Sequence, residues 1–249
     1  MSGHSKWATI KHKKGAADKA RGKLFAKLAR QIEVAAKGGG DVDANPTLRT
    51  AVQKAKAARM TNDAIDRAIK RGTGEGGDGV IYETIMYEGY APGGVALMID
   101  VLTDNRNRTG AEIRGVFTKL GGSMAEPGAV SWQFARRGQI VTGEGLTEDD
   151  VMMAALDAGA DDVVAEGDRF RVDTDPSVVF DVKEALDAAG IEVISADSPF
   201  VSENLVPVTE TGDAKAVVRI LEALEDNDDV QDVFANFDIS DELMEEASA

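Results

Sequence analysis

Apolar residues recur at helical spacing through the first third of the chain. Within residues 16–37, Leu24, Phe25, Leu28, Ile32 and Ala35 fall inside one arc of roughly 120°. Lys19, Lys23, Lys27 and Arg30 fall on the opposite face, so this helix is expected to bury one side and present a cationic stripe on the other. Gly38-Gly39-Gly40 ends it. Asn45-Pro46 has the form of a helix cap followed by a first-turn proline, and Leu48, Ala51, Val52 and Ala55 make the apolar stripe that follows. Thr61-Asn62-Asp63 opens a third helix with Ile65, Ala68 and Ile69 inward, closed by Gly72. Three short amphipathic helices predict a small bundle over residues 1–72.

Residues 73–79 are rich in glycine and read as a hinge. Beyond them the period changes. Strands are expected at 80–88, 94–103 and 129–135, with a helix at 108–120 that turns Ile113, Val116, Phe117 and Leu120 inward. Residues 138–199 then run strand, helix, strand, strand, helix, strand (139–142, 147–159, 162–166, 168–173, 177–189, 191–196), the order of a ferredoxin-like unit. A strand at 203–208, a helix at 213–226 and a strand at 230–238 supply the missing half of the domain begun at residue 80. The expected fold is α+β and multidomain. A helical bundle (1–72) is followed by a middle α/β domain (80–137 and 200–240) carrying an inserted ferredoxin-like domain (138–199), and an acidic tail closes the chain (241–249).

Composition narrows the chemistry. The 249 residues include no cysteine and two histidines, His4 and His12, so disulfides, thiolate catalysis and Cys- or His-built metal sites lack material. No apolar run approaches the ~18 residues of a membrane span, and the first residues lack the apolar core of a secretory signal. A cytoplasmic, monomeric globular protein without cofactor is the expectation from these features.

The net charge of −16 is unevenly distributed. Residues 1–72 hold 17 Lys and Arg against 6 Asp and Glu, a net of +11. Residues 73–145 hold 6 against 9, a net of −3, and residues 146–249 hold 5 against 29, a net of −24. With a screening length of about 8 Å at physiological salt, a phosphate at the N-terminal segment senses mainly the positive local field. Residues 1–15 carry Lys6, Lys11, Lys13 and Lys14 with Trp7 and His12 and no acid, which suits an arm that orders on a nucleic acid. Trp7 fits stacking on a base, and equally a plug pinning the arm to the bundle. The stripe of Lys19, Lys23, Lys27 and Arg30 extends the same surface.

Other motifs fall away. Gly74, Gly76 and Gly79 fit G-x-G-x-x-G, but a helix precedes them and a strand follows, the inverse of a dinucleotide site. Asp41, Asp43 and Asn45 start a calcium-loop spacing that Pro46 and Val52 break. Asp149-Asp150, Asp161-Asp162 and Asp228-Asp229 sit at helix starts or turns and read as caps and solvated charge. No P-loop or nucleophile elbow occurs, so no enzyme is expected. Thr103-Asp104-Asn105-Arg106-Asn107-Arg108-Thr109 lies between a strand and a helix, with Arg114 further along. Arg106, Arg108 and Arg114 are secondary phosphate-contact candidates, the alternative being a helix cap with surface arginines.

Gly3-His4-Ser5-Lys6-Trp7 with Ile10-Lys11-His12-Lys13-Lys14, Arg21-Gly22-Lys23, Tyr87-Glu88-Gly89-Tyr90 with Pro92-Gly93-Gly94, Thr103 to Thr109, and Asn236-Phe237-Asp238 together resemble the YebC family. The resemblance runs over nearly the whole chain. It departs at Arg59-Met60-Thr61, where the family tends to have Asn-Met-Pro, and at Val42, where it often has Pro. It implies three domains, the third inserted in the second, and a regulator of gene expression. Family members are commonly labelled DNA-binding transcriptional regulators. Others are described as translational activators or factors acting on stalled ribosomes. The lysine-dominated stripe suits phosphates better than base edges and leaves DNA and ribosomal RNA both open as partners.

Overall fold

The computed structural model describes residues 17–75 and 80–248. They form two compact units, one made of Trp132–Leu205 with Phe234–Asp238, the other of the residues up to Ser131 with Val206–Val233 and those from Ile239 onward.

The larger unit begins with three helices, α1 (Ala17–Ala36), α2 (Pro46–Ala57) and α3 (Asn62–Gly72). Leu28, Ile32, Ala35, Leu48, Val52, Ala55, Ile65 and Ala68 share one apolar cluster. Leu24, expected inward, is 46% exposed, because the cluster's first buried member is Leu28 and only Phe25 packs against it from the preceding turn. Asn45 joins two helix ends. Its side chain accepts the Leu48 N–H at 3.1 Å and donates to the carbonyls of Ala35 and Gly39, both at 2.8 Å. It thereby satisfies groups that each helix leaves open. Gly72 has a second role besides closing α3. A Cβ there would lie 2.3 Å from the Glu33 carbonyl and 2.6 Å from Ala36 Cβ, so only glycine lets α3 cross α1 this closely.

Helix α2 ends on Arg59 at φ 62°, with the Met60 N–H reaching the Ala55 carbonyl at 2.9 Å. This hydrogen-bond pattern needs a left-handed residue, which costs an ordinary L-residue such as arginine about 1–2 kcal/mol and asparagine less. Arg59→Asn is therefore expected to stabilise the protein by about 0.5–1 kcal/mol. A denaturant midpoint that fails to rise would show that the backbone at Arg59 carries no such cost.

Strands β1 (Glu83–Ala91) and β2 (Val95–Thr103) form an antiparallel hairpin with Glu83 opposite Thr103 and Ala91 opposite Val95. Helix α4 (Arg106–Leu120) and strand β3 (Ser123–Ala125) follow, and β3 pairs with β1. The expected strand at 129–135 does not form. Residues 126–131 are a loop whose N–H groups bond to a side chain of β1, and only β4 (Phe134–Arg136) is extended.

In the smaller unit β4 pairs with β9 (Phe200–Ser202), so the chain enters and leaves this unit on neighbouring strands. Between them lie β5 (Gly138–Thr142), α5 (Glu148–Leu156), β6 (Ala160–Glu166), β7 (Arg169–Thr174), α6 (Val179–Ala188) and β8 (Val193–Asp197). The sheet order β6-β7-β5-β8, antiparallel throughout, is the ferredoxin-like arrangement. Ile140, Val151, Val172, Val182 and Leu186 centre its core. The expected strand 203–208 is broken: Ser202 and Asn204 form a turn after β9, and only β10 (Val206–Pro207) is extended beyond it.

Helix α7 (Thr211–Glu225) and strand β11 (Val230–Ala235) complete the sheet of the larger unit, whose order is β11-β2-β1-β3. The strand expected over 230–238 is interrupted at Asn236, whose amide donates to Asn204 O at 2.9 Å and Gln133 Oε1 at 3.1 Å; β12 (Phe237–Asp238) resumes after it. Residues expected as an acidic tail instead form α8 (Asp241–Ser248), because Met244 is fully buried and gives the segment an apolar anchor.

Candidate nucleic-acid interface

Three cations of the basic stripe, Lys23, Lys27 and Arg30, do not project into open solvent. Lys23 Nζ meets Asp226 Oδ1 at 2.7 Å and its carbonyl at 3.0 Å. Lys27 Nζ donates to the Glu225 carbonyl at 2.8 Å. Arg30 donates to the Asp228 carbonyl at 2.7 Å and to Asp229 Oδ1 at 3.1 Å, and Gln31 meets Gln231 at 3.2 Å. All these acceptors lie on the corner between α7 and β11. A helix C-terminus carries open carbonyls and partial negative charge, and here the cations that answer it come from α1. Lys6, Trp7, Lys11, His12, Lys13 and Lys14 lie outside the described residues, as does the side chain of Lys19.

Asp229 is the hub of this corner, with 7% of its side chain exposed. Its Oδ1 faces Arg30, while its Oδ2 accepts from Thr109 Oγ1 at 2.7 Å, Thr103 Oγ1 at 3.2 Å and the Arg108 guanidinium. Burial alone would raise the carboxyl's pKa, but the hydrogen bonds from Thr109, Arg108 and Thr103 outweigh it and hold the group below its ordinary value. Arg108 also pairs with Asp104 at 2.9 Å. Asn105 caps α4, accepting the Arg108 N–H at 3.1 Å. Of the three secondary arginines, then, Arg108 is committed to the corner, whereas Arg106 and Arg114 are exposed and have no ion pair among the described residues. A polar cleft of about 330 Å³ opens at this corner, lined by Arg30, Tyr82, Asp104, Arg108, Glu112, Asn227, Asp228 and Asp229. Burial and Glu33 hold the Tyr82 phenol above its ordinary pKa, so it stays neutral.

A second buried carboxylate is Glu88 in β1. Its oxygens accept N–H groups from Gly128 at 2.7 Å, Val130 at 2.6 Å and Ser131 at 3.0 Å. Burial pushes its pKa up, and the three backbone donors more than reverse this. Sequence reasoning missed both acids as site-forming residues. Asp229 looked like turn charge, and Glu88 entered only as part of the Tyr87-Glu88-Gly89-Tyr90 motif, with no role attached.

These features define a class: an α+β protein whose basic helical bundle is anchored by polar contacts to an acidic corner of its own larger unit. Two family models match, "TACO1/YebC protein N-terminal domain" over residues 5–75 and "TACO1/YebC second and third domain" over residues 82–237. A protein of Halothermothrix orenii named probable transcriptional regulatory protein is 55% identical over 99% of this chain and 98% of its own length. One from Corynebacterium diphtheriae, also named probable transcriptional regulatory protein, is 55% identical over the full length of both. The crystal structure of a conserved hypothetical protein, Aq1575, from Aquifex aeolicus has a TM-score of 0.80 at 43% identity, covering 90% of this chain and 93% of that one. The chain belongs to the TACO1/YebC family.

No helix among the described residues is long and apolar enough to cross a membrane. No group of three or more His, Cys, Asp or Glu among them could hold a metal ion.

Proposed function

We propose that the chain is a non-enzymatic regulator of gene expression that holds nucleic acid through phosphate contacts made by its basic N-terminal segment, acting in the cytoplasm as a monomer. The observation that carries this reading is the segregation of charge, +11 in residues 1–72 against −24 in residues 146–249. Lys6, Lys11, Lys13 and Lys14 supply the arm. Lys56, Arg59, Arg67 and Lys70 add exposed cations on the bundle that have no ion pair among the described residues. The names of the relatives favour transcription as the setting.

A second reading, binding to ribosomal RNA in translation, draws on a specific observation. Lys23, Lys27 and Arg30 are docked on the chain's own acids and carbonyls, so these three cations of α1 are not turned out for insertion into a DNA major groove. Cells expressing the tagged chain should be crosslinked and the bound nucleic acid sequenced. Defined promoters would support the transcriptional setting and ribosomal RNA the translational one. Recovery of neither above background would overturn the reading.

A further inference from the structure

We propose that the α7–β11 corner is an autoinhibitory latch: its carboxylate and carbonyl oxygens occupy Lys23, Lys27 and Arg30 in place of nucleic-acid phosphates, and binding requires their exchange. This rests on the nucleic-acid reading above.

Three observations carry it. Carboxylate and carbonyl oxygens meet all three cations at 2.7–3.1 Å along two turns of α1, the contacts a phosphate would otherwise make. The bundle's apolar cluster draws its members only from α1–α3 and their connecting turns, Phe25 to Ile69, and none from the sheet. The bundle therefore keeps its own core if the corner lets go. Lastly, the outermost pair is accessible, since Asp226 is 76% exposed, and exposed ion pairs are weak and screened by salt. A polar dock between a self-sufficient bundle and an acidic surface, open to solvent at its Lys23–Asp226 end, can be displaced from that end by a dense phosphate backbone. The apparent affinity is then the intrinsic one multiplied by the fraction of molecules in which the cations are released.

The chain has no cysteine, so Gln31→Cys with Gln231→Cys, bridged by a short bis-maleimide, locks α1 to the corner without side products. Asp226→Asn with Asp229→Asn loosens it. Asp161→Asn with Asp168→Asn removes the same charge from exposed positions of the smaller unit as a control. Binding of the full-length forms to duplex DNA and to ribosomal RNA is measured across a salt series. The loosened form should bind at least about tenfold more tightly than the locked form, with wild type and control between them. The locked form should also lose about 0.7–0.9 in salt slope for each of the three contacts. A locked form that binds as tightly as wild type, or a loosened form that matches the control, overturns the latch and leaves the nucleic-acid reading standing. Absence of binding by every form overturns the nucleic-acid reading itself, and the latch with it.

Discussion

Replacing Lys6, Lys11, Lys13 and Lys14 together by alanine is expected to lower affinity for nucleic acid by about 10²–10³-fold. Residues 1–15 hold no acid, so each of these ammonium groups can face a phosphate without an internal competitor nearby in sequence. A charge-assisted contact contributes roughly 1 kcal/mol in a screened setting, and four of them give the stated range. The loss should shrink as salt rises, because the released counterions are what these lysines contribute; the slope of log affinity against log salt should flatten by about 3. The effect should be nearly the same on all sequences, as phosphate contacts carry no base information. Neutralising Lys23, Lys27 and Arg30 should cost less, because it removes each proposed phosphate contact together with the internal contact that competes for the same cation. Equal binding of the four-lysine variant and wild type at 50–200 mM salt would remove the arm from the interface.

Glu88→Ala is expected to destabilise the larger unit by about 3–5 kcal/mol. Three backbone N–H groups, of Gly128, Val130 and Ser131, converge on this one buried carboxylate. Removing it leaves all three without their acceptor in a site where water is largely excluded, at about 1–3 kcal/mol each before relaxation. Glu88→Gln keeps the shape and one carbonyl oxygen, and should cost roughly half as much. The pH dependence has a definite sign. The folded-state pKa of Glu88 lies below its unfolded value. Its contribution is therefore fully present above the ordinary glutamate pKa of about 4.3 and is lost as pH falls through the depressed folded value. Asp229, also depressed, adds to the same acid limb. Denaturant midpoints of wild type and Glu88→Gln, taken from neutral pH downward, should converge in acid. A Glu88→Ala variant within 1 kcal/mol of wild type, or curves that stay parallel, would show that the carboxylate is not what holds the 126–131 loop.

The elements whose apolar spacing is continuous were readable before any coordinates. Helices α2, α3, α4, α6 and α7 and the ferredoxin-like order of 138–197 start and stop within a few residues of where periodicity puts them. Each of these buries one face against its neighbour, and that face is written into the spacing. The elements that went astray are those whose backbone hydrogen bonds go to side chains. The loop at 126–131 was expected to be a strand because its residue types suit one, but its donors are taken by Glu88 from a strand some forty positions earlier. The break at Asn236 arises likewise, from an amide that reaches Asn204 and Gln133. Helix α8 was hidden by its acids, with Met244 the single buried anchor.

The sequence by itself determined the segregation of charge, the bundle and the order of strands and helices in the inserted unit, because these follow from local spacing and from counts that no folding can alter. Only the tertiary structure decided what the cations of α1 do. Lys23, Lys27 and Arg30 share a helix face in any reading, but their partners, Glu225 to Asp229, lie about two hundred positions away. Long-range pairing of this kind is fixed by how the sheet and α7 are assembled. It leaves no periodic trace in either segment, and it turns a stripe that looked open to nucleic acid into one already held by the chain's own acids.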